Sequence, residues 1–267
     1  MTEEKGQRVS KIIARAGICS RREAERYIEQ GRVAVNGEVL ISPAVTVLPS
    51  DKITVDQKPL PEKEKTRLWR YHKPAGLITS HKDPQGRPTV FDSLPEGMPR
   101  VISIGRLDFN SEGLLLLTND GELARRIELP STGWIRRYRV RIHGEMTPDI
   151  MEKLARGVSV EGVHYAGVQV VVDKKQGSNT WLTVSLKEGK NREIRKIMEA
   201  FGLQVTRLIR VAYGPFQLGT LSKGDVDEVT TKVLKEQLGM KDISAQASGK
   251  KDLKRTEKAQ KKKAASL

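Results

Sequence analysis

The stretch GRLDFNSEGLLLLTNDG, residues 105–121, contains the clearest signal for a buried element in this chain. The apolar run at residues 114–118 predicts a buried β-strand, and residues 119–121 (Asn-Asp-Gly) predict the turn that ends it. Asp108 then lies on the loop that leads into a rigid core strand, two residues after Arg106. The simplest interpretation of Asp108 is a solvated loop carboxylate, so its role depends on the rest of the chain.

The chain is long enough for a medium domain and a smaller one, and it is strongly basic. Its 267 residues carry a formal net charge of +15, which favours a polyanionic partner. No run of 18 or more apolar residues predicts a membrane span, and the polar start at residues 1–6 does not resemble a signal peptide. The single cysteine, Cys19, can form no internal disulfide, which favours a reducing cytoplasm.

Residues 8–55 have unusually clear local signals. A stripe of apolar residues at helical spacing stops at Gly17, and Ser20 with Glu23 forms a capping box. An Asn36-Gly37 pair flanked by alternating residues predicts a hairpin. The expected elements are, in order, a helix over 9–16, a helix from Ser20 through Ile28, a hairpin over 33–39 and a strand over 52–55.

Basic side chains outnumber acidic ones on these two predicted helices, and Arg22 and Arg26 share one face because they are four residues apart. Two short basic helices in front of a hairpin suit contact with a phosphate backbone and not the reading of base edges. The alternative is an ordinary solvated helix face. The residues predicted to contact RNA here are Arg15, Arg21, Arg22 and Arg26.

Beyond a linker that composition predicts within residues 57–66, short strands alternate irregularly with a few helices. The strands are expected near 68–72, 101–104, 114–118, 138–142, 168–172 and 182–186, and the helices after Thr147-Pro148 and near 192–201. Because this is not a regular strand–helix–strand rhythm, the pattern predicts an α+β fold with a mixed, mostly antiparallel sheet flanked by helices. Residues 241–267 have a composition typical of a disordered basic tail.

Several kinds of site are absent from the sequence pattern. The histidines lack metal-ligand spacing, and there is no glycine-rich phosphate loop, serine elbow or CxxC motif, so neither a metal nor a cofactor is predicted. Glu112 lies four residues after Asp108 and offers an alternative with two cooperating carboxylates, which loop spacing alone leaves open.

Two further segments contain candidate site residues. In WIRRYRVRIHG, Tyr138 alternates with arginines and shares the inward face with Val140, where its ring can pack as core or stack on a ligand. In EGKNREIRKIMEAFG, Arg195 lies at the edge of an apolar helical stripe while Arg192 and Lys196 point away. A half-buried arginine needs a carboxylate partner, because an unpaired buried charge is costly.

These segments resemble, in order, the motifs of the pseudouridine synthases, specifically the RsuA/RluB branch of bacterial ribosomal RNA enzymes. KPAG resembles the first motif, GRLDFNSEGLLLLTNDG the second, and EGKNREIRKI with VTRLIRVAYGPF the third. In addition, RVSKIIARAGICSRREAERYIEQGRVAVNG resembles the S4 RNA-binding domain. The resemblance covers residues 8 to about 238 and is closest to the large-subunit, RluB-type enzymes.

The resemblance implies an organisation and a set of site residues. Residues 1–60 would form an S4-like domain, 61–67 a linker, 68–240 the catalytic domain and 241–267 the tail. Asp108 matches the catalytic aspartate, Tyr138 the tyrosine that stacks on the target base, and Arg195 the arginine paired with the aspartate. Arg106 matches an arginine that helps hold the target nucleotide out of the helix, and Lys190 replaces an arginine of the third motif. The other residues expected at the RNA are Lys73, Asn191 and Arg192.

The implied function is isomerisation of a specific uridine to pseudouridine, which needs a charged carboxylate beside the sugar and no metal or cofactor. The partner would be ribosomal RNA of the large subunit, and the protein would act as a monomer in the cytoplasm, away from membranes. A small-subunit enzyme of RsuA type is one alternative. A catalytically silent S4-domain assembly factor is the other.

Overall fold

The N-terminal elements form where the local signals predict them. The computed structural model describes residues 6–239, so the predicted tail at 241–267 lies outside the described residues. Ser20 accepts a hydrogen bond from the Glu23 backbone while the Glu23 side chain accepts one from Ser20, which completes the predicted capping box. The elements of this region are β1 (Gln7–Arg8), α1 (Val9–Arg15), α2 (Arg21–Glu29), β2 (Val33–Val35), β3 (Glu38–Val39), β4 (Thr46–Val47), β5 (Ile53–Val55) and β6 (Lys58–Pro59).

The predicted hairpin forms between β2 and β3, with both turn residues at positive φ. Strands β3, β2, β5 and β6 make a four-stranded sheet that covers the two helices. Their apolar faces form a core of their own around Val9, Ile13, Ile28 and Val33. This small unit therefore has the hydrophobic core that an RNA-binding module needs to hold a basic helix face outward.

A larger α+β region follows, as the sequence predicts. Its elements are β7 (Leu68–Lys73), β8 (Ile102–Ile104), β9 (Glu112–Thr118), α3 (Gly121–Glu128), β10 (Arg136–His143), α4 (Pro148–Arg156), β11 (Val158–Val160), β12 (Val163–Tyr165), β13 (Gln169–Gln176), β14 (Asn179–Leu186), α5 (Glu193–Glu199), β15 (Gln204–Tyr213), β16 (Phe216–Gln217) and β17 (Val226–Val229). Short 3-10 turns occupy Phe91–Ser93 and Pro130–Thr132.

The strands of this region form one large sheet in the order β13-β14-β10-β15-β9-β7-β17, with β8 on β9 and β16 on β15. Strands β9 and β15 pair in parallel. The antiparallel pairs are β7–β9, β8–β9, β10–β14, β10–β15, β13–β14 and β15–β16. The sheet is therefore mixed and mostly antiparallel, which confirms the predicted fold class. Helix α5 packs on this sheet through Ile194, Ile197 and Met198, which belong to its apolar core.

Two features of the region differ from the prediction. Residues 119–121 do not simply end a strand: the Asp120 side chain accepts hydrogen bonds from the backbone of Glu122 and Leu123 and caps helix α3, which the sequence pattern did not predict. Strand β15, the longest strand in residues 6–239, was also missed. It joins the two halves of the sheet, because it pairs with β10 on one side and β9 on the other.

Gly113 explains how β9 and β15 come together. Its φ is +103°, and a Cβ there would lie 2.3 Å from the Arg210 carbonyl oxygen. Only glycine fits this close approach, which brings the start of β9 against the middle of β15.

The chain divides after residue 228, and the second compact unit, described up to residue 239, contains helix α6 (Thr231–Leu238). Thr230 caps its first turn, and Gly239 ends it with a φ of 58°. None of the helices in the described part of the chain combines the length and apolar character needed to cross a bilayer.

Candidate active site

Strand β9 gives Asp108 a rigid support. All seven of its residues are buried, and it is paired with β7, β8 and β15. A strand with both edges occupied cannot shift without breaking several ladder hydrogen bonds, so the loop that enters it starts from a fixed point.

The loop around Asp108 is itself held through its backbone. The Ser111 amide donates to the Asp108 carbonyl over 3.0 Å, and the Gly76 amide donates to the Phe109 carbonyl over 2.8 Å. The Lys73 ammonium donates to the carbonyl oxygens of Pro74 at 3.0 Å, Asp108 at 3.1 Å and Ser111 at 2.9 Å. Because the carbonyls of Asp108 and of the residues that follow it are held, its side chain is presented from a defined position.

The prediction that Lys73 contacts RNA is wrong. Lys73 is completely buried, and its ammonium is enclosed by main-chain carbonyls of the loop that follows β7 and the loop that precedes β9. Burial lowers the pKa of this amine to about 8, against the opposing effect of Asp108 and Glu112. Lys73 therefore holds the aspartate loop and cannot reach a phosphate. The burial of Lys73 could not be predicted, because sequence alone does not show which loop folds over the end of β7.

Asp108 lies at a cavity of about 570 Å³. Its side chain is 29% exposed, so the carboxylate is accessible from the cavity while its backbone stays anchored. The volume is within the range of pockets that bind small molecules and is sufficient for a single nucleotide. The cavity walls come from the loop 103–111, strands β10, β14 and β15, and the segment 189–194.

Tyr138 lies on the inward face of β10, as predicted. It is 9% exposed and shares this face with Val140 and Ile142, which are fully buried, whereas Arg137 and Arg139 are exposed on the other face. Tyr138 also lines the cavity that contains Asp108. The ring can therefore act both as core and as one wall of the cavity.

The predicted ion pair between Asp108 and Arg195 is not the one that forms. The Arg192 Nη1 atom lies 3.8 Å from Asp108 Oδ2, whereas Arg195 donates to the carbonyl oxygens of Val205 at 3.0 Å and Asn110 at 3.3 Å. Arg195 is half-buried, as expected, and burial together with the neighbouring Arg192 lowers its pKa. It therefore ties the backbone of the aspartate loop to β15.

The cause of this difference is the start of helix α5. Arg192 precedes the helix and adopts a left-handed conformation with φ 51°. A helical wheel that includes Arg192 places its side chain away from the apolar stripe of α5. The observed backbone conformation instead directs this side chain toward Asp108. A non-glycine residue in this region costs on the order of 1 kcal/mol, and such strain clusters at functional sites.

The remaining cavity residues predicted from the sequence are basic or polar and exposed. Arg106, Lys190 and Asn191 all line the cavity rim with Arg192. Lys190 also contacts Glu188 and donates to the His164 carbonyl over 2.6 Å. These side chains surround the entrance with positive charge, which suits the phosphates on either side of a nucleotide.

Glu112 does not cooperate with Asp108. It is 7% exposed and accepts hydrogen bonds from Arg207 at 2.8 and 3.1 Å, with Lys223 at 2.6 Å. These two cations hold the pKa of the Glu112 carboxyl at about 2. Glu112 therefore stays ionised and structural, which removes the alternative with two cooperating carboxylates.

Sequence reasoning missed four charged residues of the cavity, Glu128, Arg136, Glu193 and Arg210. Two of these are buried, Glu193 and Arg210, which are 4% and 3% exposed. Glu193 precedes the apolar stripe of α5, and Arg210 lies in the run LIRVAY of β15. A charged residue within an apolar strand is the signal that could have found Arg210, because a buried charge needs a reason.

The basic helices of the N-terminal region divide into two groups. Arg21, Arg22 and Arg26 are exposed, and within residues 6–239 Arg21 and Arg26 have only long contacts of 3.7 Å with glutamates of the same helix. Arg15 is different: it pairs with Asp120 at 3.2 Å and donates to the Asn119 carbonyl at 2.9 Å. Arg15 is therefore a contact between the two regions, and the expectation that it binds RNA is wrong.

No group of three or more histidine, cysteine, aspartate or glutamate side chains within residues 6–239 could hold a metal ion.

Comparison with known proteins identifies the family. Residues 67–200 match the model of RNA pseudouridylate synthase, and residues 7–53 match the S4 domain. The chain belongs to the RNA pseudouridylate synthase family. The matched segment contains Asp108, Tyr138 and Arg195, and as a member of this family the protein is an isomerase.

Individual relatives agree with this assignment. The chain is 50% identical to an RNA pseudouridine synthase of Rickettsia felis, over 86% of this chain and 100% of that one. It is 46% identical to the ribosomal large subunit pseudouridine synthase B of Yersinia pestis, over 80% of this chain and 69% of that one. A solved pseudouridylate synthase superposes with a TM-score of 0.61 at 25% identity, over 86% of this chain and 99% of that one.

Proposed function

We propose that this RNA pseudouridylate synthase isomerises one uridine of large-subunit ribosomal RNA, with Asp108 as the group that acts on the sugar. The observation that carries the proposal is the Asp108 carboxylate, which is accessible from a nucleotide-sized cavity between Tyr138 and a basic rim. Relatives from Yersinia pestis and Salmonella typhi are named as large-subunit enzymes, which supports large-subunit ribosomal RNA as the substrate.

The reaction moves one bond and one proton. The N1–C1′ bond of uridine breaks, the uracil turns, C5 bonds to C1′, and the proton on C5 leaves while N1 gains one. The Asp108 carboxylate acts at the sugar, either by attacking C1′ or by removing a proton from C2′. Neither route consumes an oxidant.

The other cavity residues have roles that follow from their contacts. The target base must leave its stack, and Tyr138 offers a ring on which an extruded base can stack. Arg192 orients the carboxylate by charge, and Arg195 fixes its loop through Asn110. Arg106, Lys190 and Asn191 bind the flanking phosphates and hold the nucleotide out of the helix.

The N-terminal S4 domain, residues 1–60, positions the RNA and takes no part in the chemistry. Residues 61–67 then act as the linker and 68–240 as the catalytic domain. The protein acts in the cytoplasm, because its substrate is ribosomal RNA, and we expect it to act as a monomer.

The substrate is tested with purified protein and unmodified transcripts of both ribosomal RNAs. Pseudouridine mapping by carbodiimide modification and primer extension is expected to show one new site, in the large-subunit transcript. Modification of the small-subunit transcript alone would assign the protein to the RsuA type. Binding without product in either RNA would favour a silent assembly factor.

Charge reversal on the exposed face of α2 separates binding from chemistry. In the Arg22→Glu/Arg26→Glu protein, the RNA concentration for half-maximal rate should rise at least about tenfold, because two phosphate contacts become repulsive, while the maximal rate is kept. The control is Arg156→Glu on α4, an exposed arginine outside both regions of expected RNA contact. A fall in the maximal rate at saturating RNA would contradict this role.

A further inference from the structure

Two buried charged groups that line the cavity each have one side-chain atom without a hydrogen-bond partner in residues 6–239. Arg210 donates from Nε to the Leu114 carbonyl at 2.7 Å, but its Nη2 has no acceptor in the described part of the protein. Glu193 accepts the Lys190 amide on Oε2 at 2.9 Å, but its Oε1 has no donor there. An unsatisfied buried polar atom costs about 1–3 kcal/mol, so these two atoms need an explanation, as does Ser111 Oγ, which also lacks a partner in residues 6–239 and belongs to a residue of the same cavity.

These two groups share the cavity with the proposed stacking residue, Tyr138. Arg210 is directly opposite Tyr138 in the pairing of β10 with β15, so the two side chains are neighbours on one face of the sheet. Glu193 begins α5, between Arg192 and Ile194, which also line the cavity. A base stacked on Tyr138 would therefore lie beside Arg210 and in the same cavity as Glu193.

We propose that Arg210 and Glu193 read the edge of the extruded uracil, with Arg210 Nη2 donating to O4 and Glu193 Oε1 accepting the N3–H. This inference rests on the proposed function and adds the residues that choose the base. Each orphan atom has the polarity that a uracil edge requires, a donor for O4 and an acceptor for N3–H. Neither atom is partnered by the other, so both stay unpaired within residues 6–239.

The same pair rejects cytosine. Cytosine presents an amino group where uracil has O4, and a bare N3 where uracil has N3–H. Two N–H donors would then meet at Arg210, and two lone pairs would meet at Glu193. A site built to hydrogen-bond one edge discriminates strongly, because the wrong base leaves buried groups unpaired.

The test compares RNA fragments that carry uridine, 3-methyluridine or cytidine at the mapped target position. Wild-type protein should bind the uridine RNA at least about tenfold more tightly than either of the others. In Glu193→Gln the amide oxygen must accept the Lys190 N–H, so the NH2 group faces the cavity and suits the bare N3 of cytosine. The uridine preference of this variant should fall to within about threefold, with melting temperature as the check on folding.

Two further variants sharpen the result. Glu199→Gln makes the same chemical change at an exposed position of α5 and should keep the wild-type preference. Arg210→Lys keeps the charge, but one ammonium cannot hold the Leu114 carbonyl and reach O4 together, so discrimination against cytidine should drop about tenfold. Because wild-type and variant proteins are measured with the same RNAs, differences between the free RNAs cancel when their affinity ratios are compared.

The failures are distinguishable. Wild-type protein that forms pseudouridine, while Glu193→Gln and Arg210→Lys keep the wild-type preference for uridine, would overturn this inference and leave the proposed function intact. Absence of product from either ribosomal RNA with wild-type protein would overturn both.

Discussion

Lys73→Met is expected to lower the maximal rate about 100-fold while RNA affinity is kept, because the loop that presents Asp108 loses its central donor. Without the ammonium, the carbonyls of Pro74 and Ser111 lose the donor that the structure gives them. Burying the Lys73 charge is unfavourable, as its lowered pKa of about 8 indicates, and methionine removes this cost. The loss of a donor for two buried carbonyls is expected to destabilise the fold by more than this gain. The net loss of stability should be about 2 kcal/mol.

The pH dependence gives a second readout for Lys73. Its pKa is about 8 in the folded protein and 10.5 as a free side chain. Between these values the unfolded chain holds a proton that the folded chain has lost, so the wild-type protein gains stability relative to Lys73→Met as the pH rises. Urea unfolding at pH 7 and pH 10 measures this difference. Lys63→Met, at an exposed position, is the control. Equal rates and equal unfolding midpoints for wild type and Lys73→Met would contradict the role assigned to Lys73.

Local signals predicted the elements whose stability is local. The capping box at Ser20 and the hairpin at Asn36 satisfy their own backbone groups, so they can be read from a few neighbouring residues. Strand β15 could not be read in this way, because its burial alternates irregularly and its position depends on pairing with β10 and β9. Helix α3 was missed because an Asn-Asp-Gly turn and an aspartate cap look alike in sequence.

The site residues divide in the same way, into those whose position follows from neighbouring residues and those whose position depends on tertiary contacts. The sequence pattern placed Asp108 before a buried strand and Tyr138 on the inward face of an alternating strand, and the resemblance to the pseudouridine synthases supplied their expected roles. Lys73 and Arg15 were misassigned because a basic residue in a sequence is assumed to be exposed, while tertiary contacts bury one and pair the other. Arg210 escaped notice because its burial depends on the approach of Gly113 from another strand.

Asp108→Asn is expected to abolish pseudouridine formation while the fold and RNA affinity are retained. Asparagine is nearly the same size, and the backbone contacts from Lys73 and Ser111 do not use the side chain. It carries no charge to act on the sugar. The basic residues expected to contact RNA, such as Arg22, Arg26 and Arg106, lie elsewhere, so binding should survive. Adding Arg192→Met to Asp108→Asn should cause no further loss, because both act on one step.

We claim above all that the Asp108 carboxylate performs the chemistry at this cavity. Single-turnover tritium release from RNA containing 5-tritiated uridine tests it most directly, with a binding measurement on the same RNA. We expect tritium release from wild-type protein and none above background from Asp108→Asn at equal bound RNA. Measurable release by a sequence-verified Asp108→Asn protein would contradict the claim and move the chemistry to another residue.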